Sequence, residues 1–366
     1  MRIGIDARLT YYRTGGISTY IRHLISELEQ QDTTNRYIVY HSRKATETLP
    51  TRFQRANLWT PSHHRIERTA LSVELAPHNL DIFHSPDFIP PRWGGHRHVI
   101  SIMDLSFLHY PQFMTAESRR YYNDQIEAAV ARADHILAIS HATRQDIIDM
   151  LDVPPEKVTV HLLAADDIFT PQPPPAITAM RQQLDLPAEY ILFVGTFEPR
   201  KNIPGLLKGY QTLLSDLPDA PPLVLAGNRG WLFDEAMREI ESMGLGDCVL
   251  WRERIPQELL PALYSGALVH VLPSFYEGFG LPALEAMACG TVSIVSNRSS
   301  MPEVVGDVGL QIDPAAPATI AAALYKALTD TAWRQQQQAL ALQQASRFTW
   351  AETGRVALAA YQKVRG

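Results

Sequence analysis

Short runs of β-branched and aliphatic residues alternate along this chain with longer amphipathic segments, and midway the alternation restarts. Parallel strands need a crossover between them, usually a helix, so this rhythm restricts the chain to parallel α/β layers. In the first half the strand-like runs are Ile3–Asp6, Tyr37–His41, Ile82–His84, Val99–Met103, His135–Ile139 and Val158–Leu162. In the second they are Ile191–Gly195, Leu223–Ala226, Val249–Trp251, Val269–Leu272 and Val292–Val295. Between the sets, Phe169-Thr-Pro-Gln-Pro-Pro-Pro-Ala176 has the composition of a stiff linker. At 366 residues the chain fits two ordinary domains better than one core. The expected fold is α/β, two Rossmann-like doubly wound domains facing across a cleft. The expected domains are 1–170 and 176–349. A last helix at about 350–366, apolar at Val356, Leu358, Ala359 and Tyr361, is expected to pack back on the first.

A hydrophobic content of 46% with 20% charged residues belongs to a soluble globular protein. The net charge of −6 argues against nucleic acid as the main partner. Cys248 and Cys289 are too few and too far apart for a disulfide framework, which suggests a reducing compartment. The first residues form a strand pattern without a signal-peptide core, and no apolar run approaches the roughly 20 residues that span a bilayer. A cytoplasmic location is expected, and peripheral contact with the inner face of the cell membrane stays open.

The most informative stretch is Pro273-Ser-Phe-Tyr-Glu-Gly-Phe-Gly-Leu-Pro-Ala-Leu-Glu-Ala-Met-Ala-Cys-Gly290. A strand-like run leads into it, Gly278 and Gly280 allow a tight turn, Pro282 suits the start of a helix, and Gly290 suits its C-cap. Free N–H groups and the helix dipole then make an anion site. The flanking acids Glu277 and Glu285 suit hydroxyls rather than phosphate, so the combination suggests a sugar nucleotide.

Other strand ends carry weaker signals. Thr14-Gly15-Gly16-Ile17 precedes an apolar-periodic helix and is either a ligand turn or a bare strand-to-helix turn. It lacks the full Gly-x-Gly-x-x-Gly fingerprint, so a nicotinamide cofactor is not favoured. Arg200 and Lys201, in Thr196-Phe-Glu-Pro-Arg-Lys-Asn202, follow a strand and offer a planar fork and a compact charge for a diphosphate. Arg229, in Ala226-Gly-Asn-Arg-Gly-Trp231, either supplements that charge or belongs to a polar turn. His84 either lines the cleft or is a structural hydrogen-bonder. Histidine spacing carries no metal signature and no Asp-x-Asp element is present, so no metal is expected. Gln335–Gln338 reads as a solvated helix face, and Arg119-Arg-Tyr-Tyr122 as an amphipathic surface rather than a membrane anchor.

In this order, Gly15-Gly16, Arg200-Lys201, the Glu277/Glu285 pair, Ser299-Ser-Met-Pro-Glu-Val-Val-Gly306 and Phe348-Thr-Trp350 resemble glycosyltransferase family 4. The resemblance covers nearly the whole chain and implies the GT-B architecture and retaining transfer of a hexosyl group from a nucleotide diphosphate sugar. It implies no cofactor beyond that donor, and a glycan or lipid-linked acceptor in surface polysaccharide synthesis. Gly-Thr-Phe-Glu-Pro-Arg-Lys-Asn, residues 195–202, resembles a bacterial subgroup with mannosyltransferases, which implies GDP-mannose. Carried over by position, Glu285 would hold the ribose and Glu277 the transferred sugar, with the amides of Phe279, Gly280 and Leu281 on sugar and distal phosphate. Arg200 and Lys201 would hold the diphosphate, Gly16 would approach it from the other domain, and Ile255 would offer backbone groups to the base.

One position departs from the family. Relatives usually carry His-Asp where this chain has Met103-Asp104. Methionine neither ionises nor donates a hydrogen bond. Either the backbone carbonyl carries the contact, or the protein is slow, altered in donor or non-catalytic. The rivals are therefore a sugar-nucleotide-binding scaffold subunit, a transferase using UDP or ADP sugars, and a GT-B-like epimerase.

Overall fold

The computed structural model describes residues 1–12, 15–46, 49–64, 66–114, 116–230 and 233–365. Thr14 and Trp231 lie outside the described residues. The chain forms two compact units, Met1–Leu163 with Thr349–Gly366, and Ala164–Phe348. The first is built on β1 (Arg2–Asp6), β2 (Arg36–Ser42), β3 (Gln54–Leu58), β4 (Leu80–Ser85), β5 (Gly95–Ile102), β6 (His135–Ala138) and β7 (Val158–Val160). The second holds β8 (Ile191–Val194), β9 (Leu223–Ala226), β10 (Val249–Arg252), β11 (Val269–Leu272), β12 (Ser293–Ser296) and β13 (Leu310–Ile312).

Every described pairing is parallel, in the orders β3-β2-β1-β4-β5-β6-β7 and β10-β9-β8-β11-β12-β13. Strands in a sheet covered on both faces are buried on both, so they run as unbroken apolar segments rather than alternating ones. Residues 223–226 are buried throughout, as are residues 191–193. Strand order reverses at β1/β4 in one sheet and at β8/β11 in the other. Ligands bind such sheets beyond the carboxyl ends of the strands at that switch point.

The outermost β3 and β13 do not announce themselves in sequence. In Gln54-Arg-Ala-Asn-Leu58 only Leu58 is buried, and β13 is three residues long, so neither offers an apolar run. The proline-rich stretch is not a free linker: Phe169 is buried beside Tyr264, and Pro174 opens the helix Pro174–Leu184. Nor is the glutamine run wholly solvated, because Gln337 is buried and its Oε1 accepts from Gly309 N at 2.8 Å.

The C-terminal helix Trp350–Arg365 belongs to the first unit and packs on the helix Gly16–Gln31. Its buried face runs through Trp350, Thr353, Gly354, Ala357, Ala360, Tyr361 and Val364, whereas Ala359 is exposed. Small residues set that face: a Cβ on Gly354 would meet Glu27 Cβ at 2.6 Å. Among the described residues no helix is long and apolar enough to cross a membrane.

The sheets enclose neutral histidines. Burial pushes His84, His161 and His270 down to about 3, and His41, His98 and His135 to about 4. Unfolded histidine titrates near 6.5, so below that pH the unfolded chain takes up protons that the folded chain refuses. Stability should therefore fall as pH drops from about 6.5 towards 4, seen as a falling urea midpoint. A midpoint that is flat between pH 7 and pH 5 would contradict this burial.

Candidate active site

The switch point of the second unit gathers the strongest chemistry. After β8 a 3-10 turn, Pro199–Lys201, ends at Asn202 in the left-handed region (φ 56°). Asn202 Oδ1 caps the helix Ile203–Asp216 by accepting from Gly205 N at 3.2 Å. Its Nδ2 donates to the carbonyls of Pro314 at 2.7 Å and Pro273 at 3.2 Å. Phe275 N donates to Arg200 O at 2.7 Å, so the loops after β8 and β11 are tied together.

That tie brings two cations onto one carboxylate. Lys201 Nζ donates to Glu277 Oε1 at 2.5 Å and Arg200 Nη1 to Oε2 at 2.7 Å. Ser274 Oγ donates to Oε1 at 2.6 Å, while Arg200 Nε donates to Glu198 at 2.9 Å. Burial opposes the charge on Glu277, but Lys201 and Arg200 outweigh it and hold the carboxyl at about 2. Burial lowers the Lys201 pKa, and Glu277 restores part of it. A carboxylate has about four acceptor directions, and these three donors leave roughly one for a further hydroxyl.

Eight residues further on, Glu285 stands in a different field. It lies on the helix Leu281–Ala288, which Gly280 (φ 94°) opens. Pro282 is the second residue of that helix rather than the first, and Gly290 (φ 79°) follows the cap residue Cys289. Among the described residues the amides of Phe279, Gly280 and Leu281 have no acceptor within the chain. These amides begin the helix, where its dipole favours an anion. Tyr264 OH donates to Glu285 Oε2 at 2.7 Å. Burial, with Asp166 adding, still pushes the Glu285 carboxyl up to about 7.

Further residues hold this site in place. Ser299 Oγ accepts from Glu277 N at 2.9 Å and Ser300 Oγ donates to Glu277 O at 2.8 Å. The Ser-Ser-Met-Pro turn was the available signal, but not its partner. Tyr264, 21 residues before Glu285 on the helix Leu260–Ser265, carries no motif at all.

The other expected residues have surroundings of their own. Ile255 is partly buried against the core of the second unit, after Arg254 in the left-handed region. Arg229 is exposed, 3.3 Å from Glu253 and stacked over Phe233 and Trp251, so its charge is engaged within its own loop. In the first unit, Gly15 (φ 105°) is the N-cap of the helix Gly16–Gln31, and both glycines are exposed. Met103 is partly buried just past the end of β5, and Asp104 Oδ1 accepts from Ser106 N at 2.9 Å and Ser106 Oγ at 2.7 Å. His84 does not line a cleft. It is fully buried between Tyr361 OH at 2.7 Å and Ser101 Oγ at 2.9 Å. Among the described residues no group of three or more His, Cys, Asp or Glu is placed to hold a metal ion.

Residues 177–344 match the family described as Glycosyl transferases group 1, and residues 14–162 match Glycosyltransferase Family 4. The chain is 32% identical over 357 residues to O-antigen chain mannosyltransferase B of Escherichia coli, covering 93% of each protein. It belongs to glycosyltransferase family 4. This glycosyltransferase is also 34% identical over 250 residues to the serotype-specific mannosyltransferase WbdA of Escherichia coli, covering 67% of this chain and 31% of that longer protein. Its GT-B fold resembles Anabaena HepE solved with UDP-glucose, at a TM-score of 0.77 and 16% identity over 99% of this chain and all of that one.

Two substitutions test the built geometry. Lys201→Ala should cost roughly 3 kcal/mol by urea denaturation, because it strips a partner from the buried carboxylate. Gly280→Ala should lower the melting temperature, since its Cβ would sit 1.9 Å from Met301 Cε at a positive φ. Wild-type stability in both would show that the two loops are looser than described.

Proposed function

We propose that this glycosyltransferase moves a mannosyl group from GDP-mannose to a hydroxyl of a growing surface glycan, glycan-bearing or lipid-linked, with retention. The observation that carries the donor part is the buried contact of Lys201 and Arg200 with Glu277, next to the unpaired amides of residues 279–281. Lys201 and Arg200 would take up the charge of the departing diphosphate, the kind of preorganised electrostatics that enzymes use at an oxyanion. Glu277 positions both cations, and its remaining acceptor direction suits one hydroxyl of the sugar being moved. Its depressed pKa and occupied oxygens make it a poor nucleophile, unlike a glycosidase carboxylate. In a retaining transfer the leaving phosphate oxygen takes the acceptor's proton.

Glu285 would accept the ribose hydroxyls, and Ile255 would offer backbone groups to the base. Gly16 from the first unit would meet the diphosphate, and the carbonyl of Met103 would replace the side chain that relatives use there. The mannosyl choice rests on the names of the two Escherichia coli relatives.

A thermal-shift panel tests the donor, because a ligand that binds the native state raises the melting temperature. GDP-mannose should give the largest rise, and a larger rise with a UDP or ADP sugar would overturn the mannose assignment. Glu285→Ala should weaken nucleotide binding, while Lys201→Ala should lower kcat roughly 100-fold. Unchanged donor affinity and rate in both would sink the assignment.

The raised pKa of Glu285 adds a pH test. Protonated, it accepts poorly; ionised, it accepts from two hydroxyls. Donor KM should therefore fall as pH rises from 6 to 8, and Glu285→Gln should abolish that dependence. An equal slope in both proteins would place the titrating group elsewhere.

A further inference from the structure

Three arginines of the first unit are drawn together without an acid among them. Arg68 lies in the first turn of the helix Glu67–Leu75, Arg92 on the connection from β4 to β5, and Arg132 at the end of the helix Ala116–Arg132. Hydrogen bonds knit the three segments. Arg92 N donates to Arg68 O at 3.2 Å, and Arg132 Nε donates to Arg92 O at 3.2 Å. Arg68 Nε donates to Pro90 O at 3.1 Å and its Nη2 to Ala128 O at 3.4 Å, one helical turn before Arg132. The guanidiniums feel one another: burial lowers the Arg68 pKa, and the charges of Arg92 and Arg132 lower it further.

No carboxylate answers these charges. Among the described residues none pairs with Arg68, Arg92 or Arg132, and Asp134 is taken by Arg97 Nη1 at 2.9 Å and His98 N at 2.7 Å. Acids are not scarce in this chain, where 39 face 33 lysines and arginines. Part of the cluster has a structural task. Arg68, together with Lys157 Nζ on Val130 O at 2.7 Å, covers carbonyls near the helix C-terminus, where the dipole favours cations. That dipole amounts to about half an elementary charge, so it offsets one cation at most. The rest of the positive charge stays uncompensated.

The unspent donors and that charge together define a ligand. A guanidinium carries five N–H groups and does not deprotonate. Arg68 spends two on carbonyls, Arg132 spends one, and the Arg92 guanidinium spends none among the described residues. Arg92 is exposed and the other two are partly so. Planar forks bind phosphate oxygens in pairs, through hydrogen bonds stronger than those between neutral groups. A neutral ligand would leave the mutual repulsion standing. A phosphate monoester brings about −1.5 to −2 of charge and three acceptor oxygens, which suits several cations at once.

We propose that Arg68, Arg92 and Arg132 form a phosphate-binding site, additional to the donor cradle of the second unit and independent of the glycosyltransfer reading. Its ligand is a phosphate group, borne by a lipid headgroup or by a free phosphate compound.

The full chain is titrated calorimetrically with inorganic phosphate and, separately, sedimented with vesicles of phosphatidylglycerol in phosphatidylcholine. The wild type should bind at least one of these probes through the cluster. Phosphate alone identifies a free compound as the source, vesicles alone a lipid headgroup, and both together the shared group. Arg92→Gln combined with Arg132→Gln should weaken that binding about 10-fold. Arg22→Gln combined with Arg36→Gln removes equal charge from two exposed positions of the same unit and should leave it unchanged. Phosphate held by the donor cradle, and the thermal shift given by GDP-mannose, should be the same in all three proteins, so failure of the donor assignment leaves this test intact. Should the double variant fail to fold, Arg92→Gln alone serves and should weaken the same binding, because its guanidinium has no partner among the described residues to lose. Binding of neither probe overturns the proposal. So does equal weakening by the Arg22 and Arg36 pair, or unchanged binding in a folded cluster variant.

Discussion

The arrangement of the second unit depends on one buried contact, Lys201 Nζ on Glu277 Oε1. A lysine sealed in a protein interior loses far more hydration than an exposed one, and it stays charged only where an anion compensates. Glu277 does so, while Arg200 and Ser274 take two more of its acceptor directions. The serines at 299 and 300 fix its backbone in turn. The result is two cations locked on one carboxylate, beside a helix start whose amides have no internal acceptor among the described residues. Removing Lys201 or Glu277 leaves its partner's charge in a medium that solvates it poorly, so the loops after β8 and β11 hold their form together.

The two acids eight residues apart illustrate how environment divides identical chemistry. Glu277, gripped by two cations, is held at about 2, whereas Glu285, partly buried and with the Tyr264 phenol donating to it, rises to about 7. One is a fixed anchor and the other a group that changes state near neutral pH. The switch points of the two units show a parallel division. At that of the second unit Lys201 and Arg200 share Glu277, while at that of the first Arg8 donates to Asp6, Glu67 and the Thr60 carbonyl.

Much of this was legible before any coordinates. Central strands such as Leu223–Ala226 are apolar throughout and declare themselves, and the glycine turn before Glu285 has a composition that few other structures demand. The edge strands β3 and β13 stayed hidden, because an edge strand needs no buried face and so no periodicity. His84 was ambiguous for a similar reason: a strand-end histidine looks alike whether it faces a ligand or a buried tyrosine, and only packing of the distant Tyr361 decides. The pocket beside Arg8 in the first unit had no motif. Its residues come from the end of β1, the stretch at Ser62 and His63, the start of the helix Glu67–Leu75 and the end of β4, which topology alone brings together. Family resemblance supplied the roles of residues at the donor site, and their hydrogen bonds supply the physical reason those roles are feasible.

The central claim is that Lys201, Arg200 and the helix start at Gly280 form one cradle for the donor's diphosphate. A crystal structure of the chain soaked with GDP-mannose or its unreactive analogue tests it most directly. The diphosphate should lie within hydrogen-bond distance of Lys201 Nζ, Arg200 and the amides of residues 279–281, with the ribose hydroxyls on Glu285. A diphosphate bound elsewhere, with the Lys201–Glu277 contact undisturbed and these amides untouched, would contradict the account.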